Sequence, residues 1–128
     1  MKINQSAEDY LEAILMLQEK NSYARSIDVA NELNVSKPSV SVAMKKLKER
    51  GYITFDDNGF IKFTDEGRAL ADKVYKKHKL LTEVLIYIGV KKNVAAEEAC
   101  VIEHAISDNT YKCIDRFYKK AVKNKKEK

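Results

Sequence analysis

The chain has 128 residues, 34% of them charged, and a formal net charge of +5 at pH 7. This length suits one compact domain or two small subdomains, and a large enclosed enzyme pocket is not expected in it. The longest apolar run, residues 84–88, is far shorter than the roughly 20 residues of a membrane span, and the first ten residues lack the apolar core of a signal peptide. We therefore expect a cytoplasmic protein without a membrane partner.

The positive charge is concentrated at the end of the sequence. Residues 119–128 hold six lysines and one glutamate, which together account for the whole net charge. The overall charge is therefore only a weak argument for nucleic-acid binding, and we expect the end of the chain to be solvated and partly frayed.

The two cysteines, Cys100 and Cys113, show no regular spacing. In the cytoplasm both should remain thiols rather than form a disulfide. Cys113 has no potential metal ligand at suitable spacing, and we expect it to be a buried structural thiol.

Three helices are predicted in close succession in the first half of the chain. Apolar residues at helical spacing predict the first helix over about residues 7–19. Two shorter helices follow, each with a serine that can serve as its N-cap. The predicted caps and ends are Ser26 and Leu33 for the second helix, and Ser36 and Gly51 for the third.

A change of periodicity after the third helix predicts a β-hairpin. Residues 52–55 and 60–63 are β-prone, and the Asp-Asp-Asn-Gly sequence between them is typical of a turn. Helical periodicity then returns to the end of the chain. The later helices are predicted over residues 65–88, 94–106 and 109–122, with Ser107 or Asp108 as the cap of the last. This order of elements indicates a mainly α fold with a winged helix-turn-helix and a two-stranded wing, which binds double-stranded DNA.

The third helix has the composition of a DNA-reading element. Its first turn carries small hydroxyl side chains that allow a close approach to base edges, and the cations that follow can neutralise phosphates. An ordinary amphipathic surface helix would look similar in isolation, but the preceding helix and the following hairpin favour DNA reading. The predicted DNA-binding residues are Lys37, Pro38, Ser39 and Ser41 at the start of the helix, Lys45 and Lys46 for backbone contacts, and Asn58 and Lys62 in the wing.

One turn of the fifth predicted helix holds three good metal ligands. Cys100, Glu103 and His104 leave the same face of a helix. Thiolate sulfur, carboxylate oxygen and imidazole nitrogen together suit a first-row transition ion, whereas calcium and magnesium favour oxygen alone. Three ligands on one turn rarely complete a coordination shell, so further ligands must come from elsewhere.

The remaining candidate ligands are His78 on the long helix, and Asp9 and Glu12 on the first helix. Each also has an ordinary explanation. Asp9 can belong to a helix cap, Glu12 can be a solvated charge, and His78 lies among lysines on what could be an exposed face.

Four segments carry a resemblance to a known family: SAEDYLEAILML at residues 6–17, VSKPSVSVAMKKLKERGYI at 35–53, VYKKHKLLTEVL at 74–85 and EEACVIEHAIS at 97–107. Together they resemble the metal-dependent repressors related to the diphtheria toxin repressor and the manganese transport regulator. The resemblance implies a homodimer with a winged helix-turn-helix, a long linking helix and a helical dimerisation region. It also implies that the protein represses metal-uptake genes when a divalent ion is abundant.

By position, the resemblance implies six metal ligands: Asp9, Glu12, His78, Cys100, Glu103 and His104. The match is mixed, because manganese-type members generally have Glu at the position of Cys100, whereas iron-type members have Cys there but usually Met at the position of Asp9. Thr82 and Ala96 stand where iron-type members have ancillary ligands, so that second site is not expected. Val42 replaces a Gln that iron-type members present to DNA, so their operator sequence is not assumed for this chain.

The elements and the resemblance together predict three regions. They are a DNA-binding domain over residues 1–64, a linking helix with a helical metal-binding and dimerisation domain over residues 65–122, and a lysine-rich tail over residues 123–128. The chain ends before the SH3-like domain of longer members. The expected cofactor is Fe²⁺ or Mn²⁺, with Fe²⁺ favoured by Cys100, and Zn²⁺ or Co²⁺ should also bind in vitro.

The expected function is a divalent-metal-dependent transcriptional repressor that controls metal-homeostasis genes and is not an enzyme. An ion held by both domains would favour one placement of two recognition helices on a DNA operator, about 34 Å apart. One alternative is a metal-independent winged-helix regulator whose Cys, Glu and His form only structural contacts. Another is a small metallohydrolase, which would need an open coordination position beside a general base.

Overall fold

The computed structural model describes the backbone of residues 5–127 and the side chains of residues 7–125. This part of the chain is mainly helical with one two-stranded antiparallel sheet, which confirms the predicted fold class. Every helix in it is too short or too polar to serve as a transmembrane segment. The chain divides into two compact units, residues 1–75 and 76–128. The elements are α1 (Gln5–Asn21), α2 (Ser26–Leu33), α3 (Lys37–Glu49), β1 (Ile53–Phe55), β2 (Ile61–Phe63), α4 (Asp65–Tyr87), α5 (Lys92–Ala105) and α6 (Asp108–Glu127).

The first unit packs three helices and a hairpin around one apolar core. The helical spacing of Leu11, Ile14 and Leu15 places all three in this core, where each is at most 1% exposed. One residue of each strand, Ile53 and Ile61, joins them. Complete burial of such a side chain contributes about 1.5 to 3 kcal/mol, so this core is sufficient to fix the orientation of α3.

Local polar contacts fix the turn between α2 and α3. Asn34 ends α2 in the left-handed conformation, with φ 54°. The hydroxyl of Ser36 accepts a hydrogen bond from the backbone N–H of Ser39 at 3.2 Å, which confirms the predicted cap of α3.

The prediction of Ser26 as the cap of α2 was wrong. The capping residue is Arg25, whose backbone amide donates a hydrogen bond to the carboxylate of Asp28 at 3.0 Å.

The wing formed by β1 and β2 is anchored to the connection between α1 and α2. The strands pair antiparallel, with Thr54 opposite Lys62. The backbone N–H of Ile61 donates to the carbonyl of Ala24 at 2.8 Å, and the Gln18 side-chain amide donates to the carbonyl of Ile61 at 2.9 Å. These bonds restrain β2 from the side opposite to β1.

The start of α4 lies close to the backbone that precedes β1. The Thr64 hydroxyl accepts a hydrogen bond from the Gly67 N–H at 3.1 Å and donates to the Gly51 carbonyl. The Thr64 N–H donates to the Tyr52 carbonyl at 3.1 Å. A Cβ atom on Gly67 would lie 1.8 Å from that carbonyl oxygen, so the approach requires a glycine.

The second unit contains the rest of α4 together with α5 and α6. The long helix ends at Tyr87, one residue before the predicted end, and Gly89, with φ 107°, lies in the turn that follows it. The Ser107 hydroxyl accepts a hydrogen bond from the Thr110 N–H at 3.1 Å, so Ser107 caps α6. Asp108 instead forms an ion pair with Lys77 of α4 at 3.1 Å.

Helix α6 differs from its prediction in length and in the placement of its cysteine. It continues to Glu127, so the lysine-rich segment is helical rather than frayed, and Lys128 lies outside the described residues. The segment lacks glycine and proline, and lysine is a good helix former. Cys113 is exposed, so its expected burial was wrong; it lies on an outer face of α6, where a guanidinium nitrogen of Arg116 is 3.4 Å from its sulfur.

Gly67→Ala is expected to lower the free energy of unfolding by about 2 kcal/mol, because the added methyl group collides with the Tyr52 carbonyl. At an unconstrained helical position a Gly→Ala change raises the free energy of unfolding by about 1 kcal/mol. The sign of the change therefore shows whether the Tyr52 carbonyl lies against Gly67. Urea unfolding followed by circular dichroism measures the change. The control is Ala69→Gly, at an exposed position of the same helix, which should cost only the ordinary propensity difference. A more stable Gly67→Ala protein would contradict the close approach.

Candidate functional site

Three of the predicted metal ligands meet in the second unit. One ligand atom from each of His78, Cys100 and Glu103 lies within 4.8 Å of the other two. Helix α4 supplies His78, while α5 supplies Cys100 and Glu103 from the same face, three residues apart. Nitrogen, sulfur and oxygen donors therefore converge within one small region.

The carboxylate of Glu103 lies at the centre of this group. Its side chain has no exposed surface, and its two oxygens face different imidazoles. Oε2 lies 3.6 Å from Nδ1 of His78, and Oε1 lies 3.5 Å from Nε2 of His104. The His104 side chain is 5% exposed and that of His78 is 15% exposed, so neither histidine lies on a solvated face.

These separations are too long for hydrogen bonds, which typically span about 2.7 to 3.2 Å between nitrogen and oxygen. Among the described residues, none donates a hydrogen bond to either oxygen of Glu103 or forms a hydrogen bond with Nδ1 of His78. Burial of a carboxylate without hydrogen-bond donors is costly. A cation would offset that cost, because donors bonded to one ion at about 2.0 to 2.3 Å lie roughly 3 to 4 Å apart. The mixed donor set fits Fe²⁺, Mn²⁺, Zn²⁺ or Co²⁺.

The two remaining predicted ligands, Asp9 and Glu12, lie on α1 in the first unit. Glu12 is only 6% exposed, which does not fit its alternative explanation as a solvated charge. Helix α1 begins at Gln5, so Asp9 follows the first turn and does not belong to a cap. The assignment of both residues as metal ligands stays a prediction.

Helix α3 presents its predicted DNA-binding residues to solvent. Buried Val40, Met44 and Leu47 attach one side of the helix to the core. The Ser36 hydroxyl donates to the Ser39 hydroxyl oxygen at 2.9 Å, so Ser39 can direct its own hydrogen toward a base edge. The exposed residues on the other sides are Lys37, Pro38, Ser39, Ser41, Lys45 and Lys46.

The wing exposes both of its predicted DNA-binding residues, Asn58 at the turn and Lys62 on β2. One carboxylate oxygen of Asp56 accepts hydrogen bonds from the N–H groups of Asn58 and Phe60, each at 2.9 Å, which fixes the turn. Asp57 is exposed beside Asn58 and has the same charge sign as a phosphate. The wing is therefore a weaker candidate for phosphate binding than α3.

Sequence reasoning missed the aromatic contacts that brace the wing. The ring centroids of Phe60 and Tyr23 lie 5.0 Å apart, and the Arg25 guanidinium lies 4.7 Å from the centroid of Phe60. A cation over an aromatic ring contributes about 0.5 to 1 kcal/mol at an exposed site. The sequence does show an aromatic residue, Phe60, directly after the Asp-Asn-Gly turn. The sequence pattern does not indicate that Tyr23 and Arg25 contact it.

Two family models match the chain and together cover most of it. "Iron dependent repressor, N-terminal DNA binding domain" matches residues 2–59. "Iron dependent repressor, metal binding and dimerisation domain" matches residues 64–128.

Individual relatives agree with these matches. An uncharacterised HTH-type transcriptional regulator of Methanocaldococcus jannaschii is 35% identical over 120 residues, which is 92% of this chain and 96% of the relative. The HTH-type transcriptional regulator MntR of Bacillus subtilis is 34% identical over 112 residues, 88% of this chain and 77% of its own. A manganese-dependent transcriptional repressor solved in complex with manganese superposes with a TM-score of 0.79 at 32% identity, covering 86% of this chain and 51% of that structure. The chain spans about half the length of this structure and of two other solved metal-dependent regulators that it matches.

Glu103→Gln is expected to stabilise the metal-free protein while removing the extra stability gained from added Mn²⁺. A neutral amide is less costly to bury than a carboxylate without hydrogen-bond donors, so the gain should be about 1 kcal/mol. The lost carboxylate should remove the gain from the ion. Thermal unfolding with and without Mn²⁺ measures both effects, with Glu97→Gln, at an exposed position of α5, as the control. An equal shift on Mn²⁺ addition in Glu103→Gln and the unsubstituted protein would contradict the role of Glu103.

Proposed function

The chain belongs to the family of iron-dependent repressors, and from this premise we propose how it holds its metal ion and reads its DNA. It is a metal-dependent, DNA-binding transcriptional repressor of metal-homeostasis genes, which acts on a DNA operator as a homodimer with Fe²⁺ or Mn²⁺ as cofactor. One observation carries the proposed metal site: the buried Glu103 carboxylate, with an imidazole facing each oxygen and Cys100 within the same group.

We assign metal ligation in the second unit to His78, Cys100, Glu103 and His104. A bound divalent ion would supply the positive charge that offsets burial of the Glu103 carboxylate. Because each oxygen of Glu103 faces a different imidazole, this side chain has the capacity to serve two ions. The metal content of the loaded protein would give the number of ions per subunit.

Asp9 and Glu12 are proposed as further ligands, supported by the family's ligand pattern and by the low exposure of Glu12. Both belong to α1, which packs in the same core as the DNA-reading α3. Their engagement would therefore link metal binding to DNA binding. Such a link changes DNA affinity by no more than the difference in metal affinity between the two protein states.

The choice between Fe²⁺ and Mn²⁺ depends on Cys100. Thiolate sulfur favours softer ions, which supports Fe²⁺ over Mn²⁺ and also admits Zn²⁺ or Co²⁺ in vitro. The relatives named for manganese keep Mn²⁺ as the other candidate. Anaerobic titration with each ion, read as DNA binding, would rank them.

DNA reading is assigned to the exposed face of α3. The start of the helix, with Lys37, Ser39 and Ser41, would approach base edges, while Lys45 and Lys46 would contact phosphates. In a homodimer, two copies of α3 about 34 Å apart would match one turn of a two-fold symmetric operator.

The second unit exposes large apolar side chains that a second copy of the chain would cover. Ile88 is 68% exposed, Val101 is 64% exposed and Phe117 is 77% exposed. Exposed apolar surface of this kind is typical of interfaces. We assign this surface to the homodimer contact.

We propose that the protein is cytoplasmic and not an enzyme. The metal donors of the second unit are largely buried, whereas a catalytic metal site keeps an open coordination position beside a substrate cleft. The alternative of a metal-independent regulator is disfavoured, since a purely structural role for Glu103 would be expected to provide hydrogen-bond donors for its buried carboxylate oxygens.

Cys100→Ala is expected to weaken metal-dependent DNA binding by more than about tenfold, because even residues that only orient metal ligands contribute factors of 10 to 100 in metal affinity. The matched control is Cys113→Ala, which changes the other, exposed cysteine and should leave binding unchanged. Fluorescence anisotropy of a duplex with and without Mn²⁺ measures DNA affinity. Co²⁺ absorption provides a second readout, since a thiolate-to-metal charge-transfer band should disappear only in Cys100→Ala. Equal effects of the two substitutions would contradict the assignment.

Lys45→Ala and Lys46→Ala are each expected to reduce the salt dependence of DNA binding. Loss of one phosphate contact lowers the slope of log affinity against log salt concentration by about 1. A mixed-sequence duplex suffices for this measurement, because phosphate contacts do not depend on sequence. The control is Lys91→Ala, at an exposed position before α5. An unchanged slope in both α3 variants would exclude these lysines from phosphate binding.

A further inference from the structure

Val42 is an apolar side chain in the middle of the exposed face of α3. It is 56% exposed. With about 100° between successive residues, it projects almost opposite to the buried stripe of Val40, Met44 and Leu47. Val42 is therefore not one of the buried residues that attach α3 to the core of the first unit.

The surroundings of Val42 are those of a DNA-reading surface. Its helical neighbours one turn away are Pro38 and Ser39 on one side, and Lys45 and Lys46 on the other, and all four are exposed. At about 100° per residue, the two lysines flank Val42 to the left and right. Glu49, two turns further on, is the acidic residue of α3 on this face. Cations that can reach phosphates thus border a central apolar group.

Helix stability does not account for a valine at this position. Val is a poorer helix former than the Ala, Lys or Glu that an exposed site would accommodate, because branching at Cβ restricts its side chain. An apolar side chain that stays exposed to water also contributes no hydrophobic stabilisation to the fold. The same restriction is useful in a contact, since a stiff side chain loses little freedom when a partner covers it.

The major groove offers one apolar group to such a side chain. Every base pair presents hydrogen-bond donors and acceptors in the major groove, whereas only thymine presents a methyl group there. We propose that Val42 is a specificity-determining residue that reads thymine through its 5-methyl group. This inference rests on the proposed DNA-reading role of α3. It adds to that role the base, thymine, that Val42 would contact.

The size of the effect follows from the apolar area of one methyl group. Burial of one such group changes affinity by about fourfold, and two symmetric half-sites give about 15-fold together. Replacement of thymidine by deoxyuridine removes only this methyl group and leaves every hydrogen-bonding atom in place. Comparison of the two nucleosides therefore isolates the contact.

The test begins with selection of duplexes from a randomised pool by the full chain in the presence of Mn²⁺. The selected sequence is then synthesised with deoxyuridine at one thymine position at a time, and affinities are measured for the unsubstituted protein, Val42→Ala and Ser41→Ala. We expect one thymine position in each half-site at which the unsubstituted protein loses about fourfold with deoxyuridine. Val42→Ala, whose shorter side chain covers less of the thymine methyl group, should lose most of the fourfold preference, whereas Ser41→Ala should bind more weakly but keep it.

Two results would overturn the inference: absence of any position at which the methyl group matters, or retention of the full preference by Val42→Ala. Circular dichroism of Val42→Ala should match that of the unsubstituted protein, because the side chain is exposed. Failure to select any sequence in the presence of Mn²⁺ would overturn the proposed DNA-reading role itself. A selected sequence without methyl dependence would overturn only the role of Val42.

Discussion

The burial of the Glu103 carboxylate between two imidazoles is the constraint on which the second unit depends. A charged group with no exposed surface and no hydrogen-bond donor among the described residues is destabilising in the absence of a cation. In the proposed metal site, the same arrangement would give the unit affinity for a divalent ion, since the donors are already gathered. Under that proposal, stability and metal recognition would be opposite consequences of one placement, and a more stable unit without metal would bind the ion more weakly.

The first unit fixes the orientation of α3 while most of the side chains of this helix remain exposed. Three buried residues of α3 and the Ser36 cap do this from within the helix. The wing adds a second support, because the Asp56 carboxylate fixes its turn and Phe60 packs against Tyr23 and Arg25. Side chains on the outer face of α3 are thus left to meet a ligand and not to stabilise the fold.

Much of this organisation follows from local sequence patterns, and the exceptions have physical reasons. The wing strands, the Ser36 cap and the position of Gly89 depend on neighbours in sequence, so their patterns predict them. The predictions of Ser26 as the cap of α2 and of Cys113 as a buried thiol were wrong. The hydrogen bond from the Arg25 amide to the Asp28 carboxylate places the cap one residue earlier, and periodicity does not decide whether Cys113 of α6 is covered. Gly67 is required only because a distant carbonyl lies against it. For the metal site, spacing placed Cys100, Glu103 and His104 on one face, but the complete burial of Glu103 arises from packing.

One bond described for the wing also governs how copies of this protein can associate. A two-stranded sheet has free edges on both sides, and free edges invite pairing with strands of other molecules. The bond from the Ile61 amide to the Ala24 carbonyl occupies the outer edge of β2 with the chain's own backbone. At that point the hydrogen-bonding group that a strand of another molecule would need is already engaged, so the β2 edge of the wing is protected from edge-to-edge pairing.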